Sequence, residues 1–150
     1  MTTGAPAAGQ PATLAAALRA GAAGLYCAEA GAELLITQRS WLSRGDFAPF
    51  VIIASRAAGQ PVTAAVDWSA AITALDGGTL PCSSGERRIL HLAASIAAGI
   101  PADLGEALTG LDRAGIAAAA RAVLHAGGHR GATVTLPPAI PPHLRRKGER

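Results

Sequence analysis

The residues with the most distinct chemical potential lie between Pro81 and Arg88, where two serines and a glycine precede a pair of arginines. A helix that begins here points unpaired backbone N–H groups and the positive end of its dipole outward, and such an end can hold a phosphate or carboxylate. The anion-binding hypothesis names two hydroxyl and two guanidinium side chains: Ser83, Ser84, Arg87 and Arg88. The same stretch also forms a capping box between Ser83 and Glu86, and we favour this purely structural interpretation.

Cysteine and histidine offer two further kinds of chemistry. Cys82 would have a lowered pKa if it pointed at that helix end, which would make it reactive, although a buried inert thiol is favoured. We expect Cys27 to be a small buried side chain without a disulfide. His125 and His129 have a spacing that binds metal on a helix, but Gly127-Gly128 interrupts the helix between them. We therefore predict no metal site and place His125 at a helix C-terminus, where its charge favours the dipole.

Known catalytic motifs do not occur in the sequence. It has no nucleophile elbow, phosphate loop, dinucleotide fingerprint or Cys-x-x-Cys. Five of the ten acidic residues are assigned to helix caps, and they are Asp46, Asp67, Glu86, Asp103 and Asp112. We expect a non-enzymatic protein without a cofactor.

DNA binding is the alternative hypothesis. Helices predicted at about 84–98, 103–109 and 113–126, with a short strand at 132–136, have the order of a helix-turn-helix module and its wing. The residues that would contact phosphates are Arg113, Arg121, Arg145, Arg146 and Lys147. Against this, the predicted recognition helix exposes mainly Ala117, Ala118, Arg121 and His125. The chain also has no asparagine, a residue that commonly reads base edges.

The composition predicts which elements position these residues. Alanine accounts for 37 of 150 residues and aromatic residues for only five, while half of the chain is hydrophobic. That apolar fraction excludes a chain disordered throughout, and alanine favours helices that approach one another closely. We predict an all-α fold, a small bundle of about five to six short helices, with a helix-turn-helix-like C-terminal half.

The apolar periodicity places the helices. One helix is predicted from about 22 to 38, with Leu25 on its buried face and with Glu29 and Glu33 solvated. Another is predicted to begin at Asp46 and to bury Val51 and Ala54. Residues 61–66 would be a connector or a single strand, and Trp41 would fill a gap between helices. Caps at Asp67, Ser83, Asp103 and Asp112 start the remaining helices.

The charge distribution divides the chain into three parts. A leader is predicted at 1–10, a helical domain at 11–136 and a disordered basic tail at 137–150. The tail holds four basic residues and one acid, which leaves nine basic and nine acidic residues in the rest. The overall charge of +3 therefore belongs to the tail, and the tail is interpreted as solubilising rather than as a tether to nucleic acid.

Targeting and membrane signals are absent from the sequence, so a cytoplasmic location is expected. The leading functional hypothesis is a helical interaction or regulatory module that binds a protein partner or self-associates through an alanine-rich helix face. The neutral domain, the missing catalytic set and the scarcity of bulky core residues motivate it. The alternative partner is nucleic acid, and no membrane partner is expected.

One resemblance accompanies these patterns. The stretch Gly85-Glu-Arg-Arg-Ile-Leu-His-Leu-Ala-Ala-Ser and the later Leu-Thr-Gly-Leu-Asp112 resemble segments of small, uncharacterised helical proteins of high-GC, actinobacterial-type bacteria. The Ala/Arg/Gly/Pro bias is similar to theirs as well. The resemblance covers about residues 25–130 and implies no known activity.

Overall fold

The computed structural model describes residues 11–54 and 58–144. Six α-helices account for most of these residues, which confirms the mainly helical fold. They are α1 (Pro11–Ala22), α2 (Tyr26–Gln38), α3 (Trp68–Asp76), α4 (Ser84–Ala98), α5 (Leu104–Thr109) and α6 (Arg113–Ala126). Two short strands, β1 (Val51–Ala54) and β2 (Thr63–Val66), pair antiparallel as a small two-stranded sheet.

Side-chain caps begin four consecutive helices, as the sequence predicted. Asp67, Asp103 and Asp112 each accept a hydrogen bond from the backbone N–H three residues later, at 3.0, 3.0 and 2.7 Å. Ser83 accepts from the N–H of Glu86, and the Glu86 carboxylate accepts from the N–H of Ser83, so the capping box is complete. These bonds satisfy helical N–H groups that have no partner within the helix.

The prediction of a helix that begins at Asp46 is wrong. Asp46 accepts hydrogen bonds from Arg44 instead of capping a helix, and a 3₁₀ turn over Ala48–Phe50 leads directly into β1. The run Val51-Ile52-Ile53 is β-branched and pairs with β2 in the register Val51↔Val66, so strand preference and pairing together exclude the helix. The alternative of a strand within 61–66 is confirmed by β2.

Two apolar clusters form the core, and α2 lies between them. Leu35 of α2 packs with α1, β2 and α3, while the adjacent Leu34 packs with α4 and α6. A Cβ added at Gly31 would lie 2.7 Å from the carbonyl oxygen of Ala93, so glycine is needed for the close approach of α2 to α4. Trp41 is fully buried in the first cluster, which confirms its predicted packing role.

Other expectations are corrected. Leu25 precedes α2 and is 65% exposed, whereas the side chain of Glu29 is only 14% exposed. Residues 132–136 form no strand in the described chain. The predicted leader and the end of the tail from residue 145 lie outside the described residues; a 3₁₀ turn over Pro142–Leu144 ends the described part. No helix among residues 11–54 and 58–144 is long and apolar enough to cross a membrane.

Candidate functional site

A polar cleft of about 240 Å³ lies between the end of α3, the first half of α4 and the start of α5. It contains both arginines of the anion-binding hypothesis. The ionisable residues that line it are Asp76, Arg87, Arg88, His91, Asp103 and Glu106. Three carboxylates therefore face two guanidinium groups and one imidazole, so the cleft carries no excess of positive charge.

Asp76 is the shared hydrogen-bond partner of two side chains in this cleft. One of its carboxylate oxygens lies 2.6 Å from Nη2 of Arg87 and 3.1 Å from Nε2 of His91. Arg87 and His91 are four residues apart on α4, which places both on the helix face that meets the C-terminus of α3. Nη1 of Arg87 also donates to the carbonyl oxygen of Leu75 at 3.1 Å. The cleft thus holds its own ionic network.

An Asp–His pair can orient a general base, and covalent catalysis also needs a side-chain nucleophile for that base to activate. The residues that line the cleft include no serine, threonine, cysteine or lysine. Asp76 and His91 therefore form a hydrogen-bonded pair without a nucleophile beside them.

The four predicted anion-binding residues do not converge. Ser83 is occupied as the cap of α4, and Ser84 is the exposed first residue of that helix; neither lines the cleft. Nε of Arg88 donates to the carbonyl oxygen of Glu106 at 3.1 Å, which connects α4 to α5. Arg87 is paired with Asp76, so an anion would have to compete with that carboxylate. Anion binding stays a prediction.

The two cysteines lie in different environments. Cys82 is half-buried, and burial, followed by the nearby Glu86 carboxylate, raises the pKa of its thiol. The condition for a reactive thiol, a lowered pKa at the helix N-terminus, is therefore not met. Cys27 is exposed, so its predicted burial is wrong, and both cysteines are unpaired.

A second ionic cluster joins α2 to the end of α6. The Glu29 carboxylate lies 2.7 Å from Nε2 of His125, accepts two hydrogen bonds from Arg130 and accepts a third from the N–H of Gly24. The bonds from His125 and Gly24 are the main causes that lower the pKa of Glu29 to about 2. Arg130 also stacks over the ring of Tyr26 at 4.6 Å. The expected solvated position of Glu29 is wrong, and His125 binds a carboxylate.

Of the residues predicted to contact DNA, Arg113 and Arg121 of α6 lie within the described chain. The guanidinium of Arg113 donates to the carbonyl oxygen of Leu136 at 2.8 Å, while Arg121 is exposed on α6. Ala118, expected on the exposed face, is buried against α2 and α4. The helices α4, α5 and α6 match the predicted order. One face of α6, however, is buried in the core along much of the helix. Arg145, Arg146 and Lys147 lie outside the described residues.

The alanine-rich helix faces pack inside the domain. The buried alanines of α2 and α6 belong to the core, and they are Ala30, Ala32, Ala118, Ala119 and Ala122. These five buried alanines are therefore not available for self-association.

The outer edge of β1, on the side away from β2, combines exposed apolar side chains with backbone hydrogen-bonding groups. Ile52 is 57% exposed and Ile53 is 45% exposed. Residues 47–54 include no charged side chain. β1 pairs only with β2 among the described residues, so we call its other side the open edge. Natural proteins usually protect such edges with charges, proline or a covering segment.

An apolar pocket of about 270 Å³ lies beside this open edge. Leu14 of α1 and Leu42 form part of its lining, and Val51 and Ile53 contribute from the strand. Most of its other lining residues belong to the segment before β1, including Trp41, Phe47, Ala48 and the side chain of Arg44. Sequence reasoning missed this site because residues 46–54 were assigned to a helix. The consecutive β-branched residues at 51–53 were the signal that could have identified it.

Comparison with known proteins found no matching family model, curated protein or solved structure. Within residues 11–54 and 58–144, no three His, Cys, Asp or Glu side chains cluster in a way that could hold a metal ion. Function therefore has to be inferred from the side chains and backbone of this chain.

Proposed function

We propose that this protein is a non-enzymatic interaction module that binds an extended polypeptide segment along the open edge of β1. The observation that carries the proposal is an exposed, uncharged edge strand with an apolar pocket directly beside it. A cytoplasmic location, expected from the sequence, is the setting that we assign to this function.

Edge-strand recognition divides affinity and specificity between two sets of groups. Backbone hydrogen bonds along the strand hold the added segment, and every second side chain of that segment enters pockets on one face of the sheet. β1 supplies the backbone groups, and the pocket lined by Leu14, Leu42 and Ile53 supplies an apolar receptor on the face that carries Ile53. The expected ligand is therefore an extended segment with apolar residues at alternate positions.

A labelled peptide tests this proposal. The peptide Lys-Val-Ile-Ile-Ala-Lys, with a fluorescent group at its N-terminus, is titrated with the full chain and followed by anisotropy. We expect saturable binding that the variant Ile53→Lys weakens at least about tenfold, because a charge at this position faces the pocket. Val123→Lys is the matched control, since Val123 is similarly exposed, at 62%, but lies on α6. Equal binding by native protein and Ile53→Lys would contradict the proposal.

DNA binding stays a prediction of the sequence. Arg113 and Arg121 are both exposed on α6 and support it, although Arg113 donates to the Leu136 carbonyl. A salt-dependent mobility shift with a generic duplex, repeated with a chain that ends at Ile140, separates binding by the fold from binding by the basic tail.

A further inference from the structure

We infer that the segment that adds to β1 is β1 of a second copy of this chain, which pairs antiparallel about a two-fold axis perpendicular to the sheet. The two hairpins would form one four-stranded sheet with both copies of β1 at its centre. This inference rests on the proposed function and names its partner.

The backbone pattern of the hairpin identifies the groups available at the open edge. The N–H of Asp67 donates to the carbonyl oxygen of Phe50 at 2.8 Å, directly before the pairing of Val51 with Val66. Because hydrogen-bonded pairs alternate along an antiparallel ladder, Ile52 bonds to β2, while the backbone groups of Val51 and Ile53 point to the open edge. The N–H of Val51 donates to the carbonyl of Ala48 in the preceding 3₁₀ turn. The edge therefore offers the Val51 carbonyl together with the N–H and carbonyl of Ile53.

These groups are self-complementary. When Ile52 faces Ile52 of the second copy, each Ile53 N–H lies opposite the Val51 carbonyl of the other copy, and two equivalent hydrogen bonds form. This register pairs Val51, Ile52 and Ile53 with the same three residues of the second copy. It uses one donor and one acceptor from each copy, both of which point to the open edge.

The side chains are complementary as well. Residues directly opposite in an antiparallel pair lie on the same face, so Ile53 of one copy meets Val51 of the other on the pocket side. The two Ile52 side chains meet on the opposite face. No charged residue occurs within 47–54, and the chain before Pro141 has nine basic and nine acidic residues, so little electrostatic repulsion opposes the pairing.

The strands are short, and this limits the affinity. Each copy contributes a four-residue strand and an adjoining pocket, which corresponds to an interface at the small end of the observed range. We expect a reversible dimer with a dissociation constant of about 1–100 μM.

Sedimentation velocity over about 1–200 μM tests the dimer, and proline variants test its geometry. Ile53→Pro deletes an N–H that faces the open edge, a position at which proline is tolerated. Ile52→Pro deletes an N–H that bonds to β2 and is expected to open the hairpin itself. We expect native protein to pass from monomer to dimer with concentration. Ile53→Pro should stay monomeric with an unchanged helical circular dichroism spectrum, and Val123→Lys should dimerise like the native protein.

Cysteine crosslinking tests the register independently. In a background with Cys27→Ser and Cys82→Ser, the variant Ile52→Cys places two thiols opposite each other in a non-hydrogen-bonded pair. The Cα atoms of such a pair are about 4.5 Å apart, within disulfide range. Mild oxidation with diamide should give a covalent dimer. Ile53→Cys is the matched control, because each new thiol would face Val51 and should crosslink much less.

The outcomes separate this inference from the proposed function. A chain that stays monomeric at every concentration yet still binds the labelled peptide overturns the second copy as partner and retains the interaction module. Loss of both dimer and peptide binding overturns both. A dimer that survives Ile53→Pro and does not crosslink through Ile52→Cys uses another surface, and it also overturns the inference.

Discussion

The polar cleft and the open edge of β1 differ in how many of their hydrogen-bonding groups already have a partner within the chain. In the cleft, Asp76 pairs with Arg87 and His91, and Arg88 donates to the Glu106 carbonyl. At the edge, the Val51 carbonyl and the N–H and carbonyl of Ile53 point away from β2, which is the only strand paired with β1 in the described chain, and two isoleucine side chains are about half exposed. The more strongly charged region is therefore not the one more available for binding.

This difference has an energetic basis. A ligand that enters the cleft must separate ion pairs that already exist, so much of its own interaction energy only replaces what is lost. A strand that adds to β1 forms backbone hydrogen bonds and buries apolar surface without breaking a contact of the hairpin. For this reason we propose the edge rather than the cleft as the binding surface, although it has fewer functional side chains.

The largest expected effect comes from removing the side chain that supports the pocket beside the edge. Trp41 is fully buried, its ring lies 5.2 Å from that of Phe47, and its Nε1 donates to the Glu86 carbonyl at 3.2 Å. Trp41→Ala leaves a large cavity between the pocket and the first turn of α4. We expect it to reduce the free energy of unfolding by about 3–5 kcal/mol, as measured by urea denaturation.

A matched control separates cavity formation from the loss of any tryptophan. Trp68 is only partly buried at the start of α3, so Trp68→Ala should cost clearly less. If Trp41→Ala reduced the free energy of unfolding by less than about 1 kcal/mol, Trp41 would not hold the pocket in a fixed shape. The contrast between the open edge and the polar cleft would then be weaker.

The helices and their caps could be predicted because their signals are local. Asp67, Ser83, Asp103 and Asp112 each bond to an N–H only three residues away, so a short window of sequence contains the whole interaction. The positions of α3 to α6 follow from these caps and from the glycines that end most of the helices.

The hairpin and the ionic clusters could not be predicted in this way because their partners are distant in sequence. β1 is a strand because it pairs with residues 63–66. The β-branched residues at 51–53 were a local signal for a strand, but the plausible cap at Asp46 before an apolar run indicated a helix instead. Glu29 meets His125 and Arg130 about a hundred residues later, so its apparent place on a solvated helix face was misleading.

Acid should weaken the cluster around Glu29. As in the polar cleft, the charged side chains of this cluster pair with one another. The pKa of Glu29 is lowered from 4.5 to about 2 in the folded chain. Its contribution to stability is therefore complete above about pH 4.5 and declines as the pH falls toward 2. We expect Glu29→Gln to lower the unfolding temperature at neutral pH, and we expect the difference from native protein to narrow at lower pH.

The control for this prediction is Glu33→Gln, whose more exposed side chain pairs with Arg19 on the surface. It should change the unfolding temperature less, because exposed ion pairs contribute little. A Glu29→Gln difference that is equal at pH 7 and pH 3 would show that the cluster acts through packing rather than through the charge of Glu29.

The smallest expected effect tests whether the cleft is closed to anions by its own carboxylate. Arg87 and Asp76 are about half exposed, so a double-mutant cycle with Arg87→Ala and Asp76→Ala should give a coupling free energy of only about 0.2–1 kcal/mol, smaller at high salt.

Asp76→Ala alone should nevertheless increase the affinity for inorganic phosphate, since Arg87 and His91 lose their shared partner. Nuclear magnetic resonance shifts of the α4 amides measure this binding, and Asp46→Ala, which removes a carboxylate outside the cleft, is the control. If native protein bound phosphate as tightly as Asp76→Ala, the internal ion pair would not be what blocks the cleft, and the contrast with the open edge would lose its electrostatic basis.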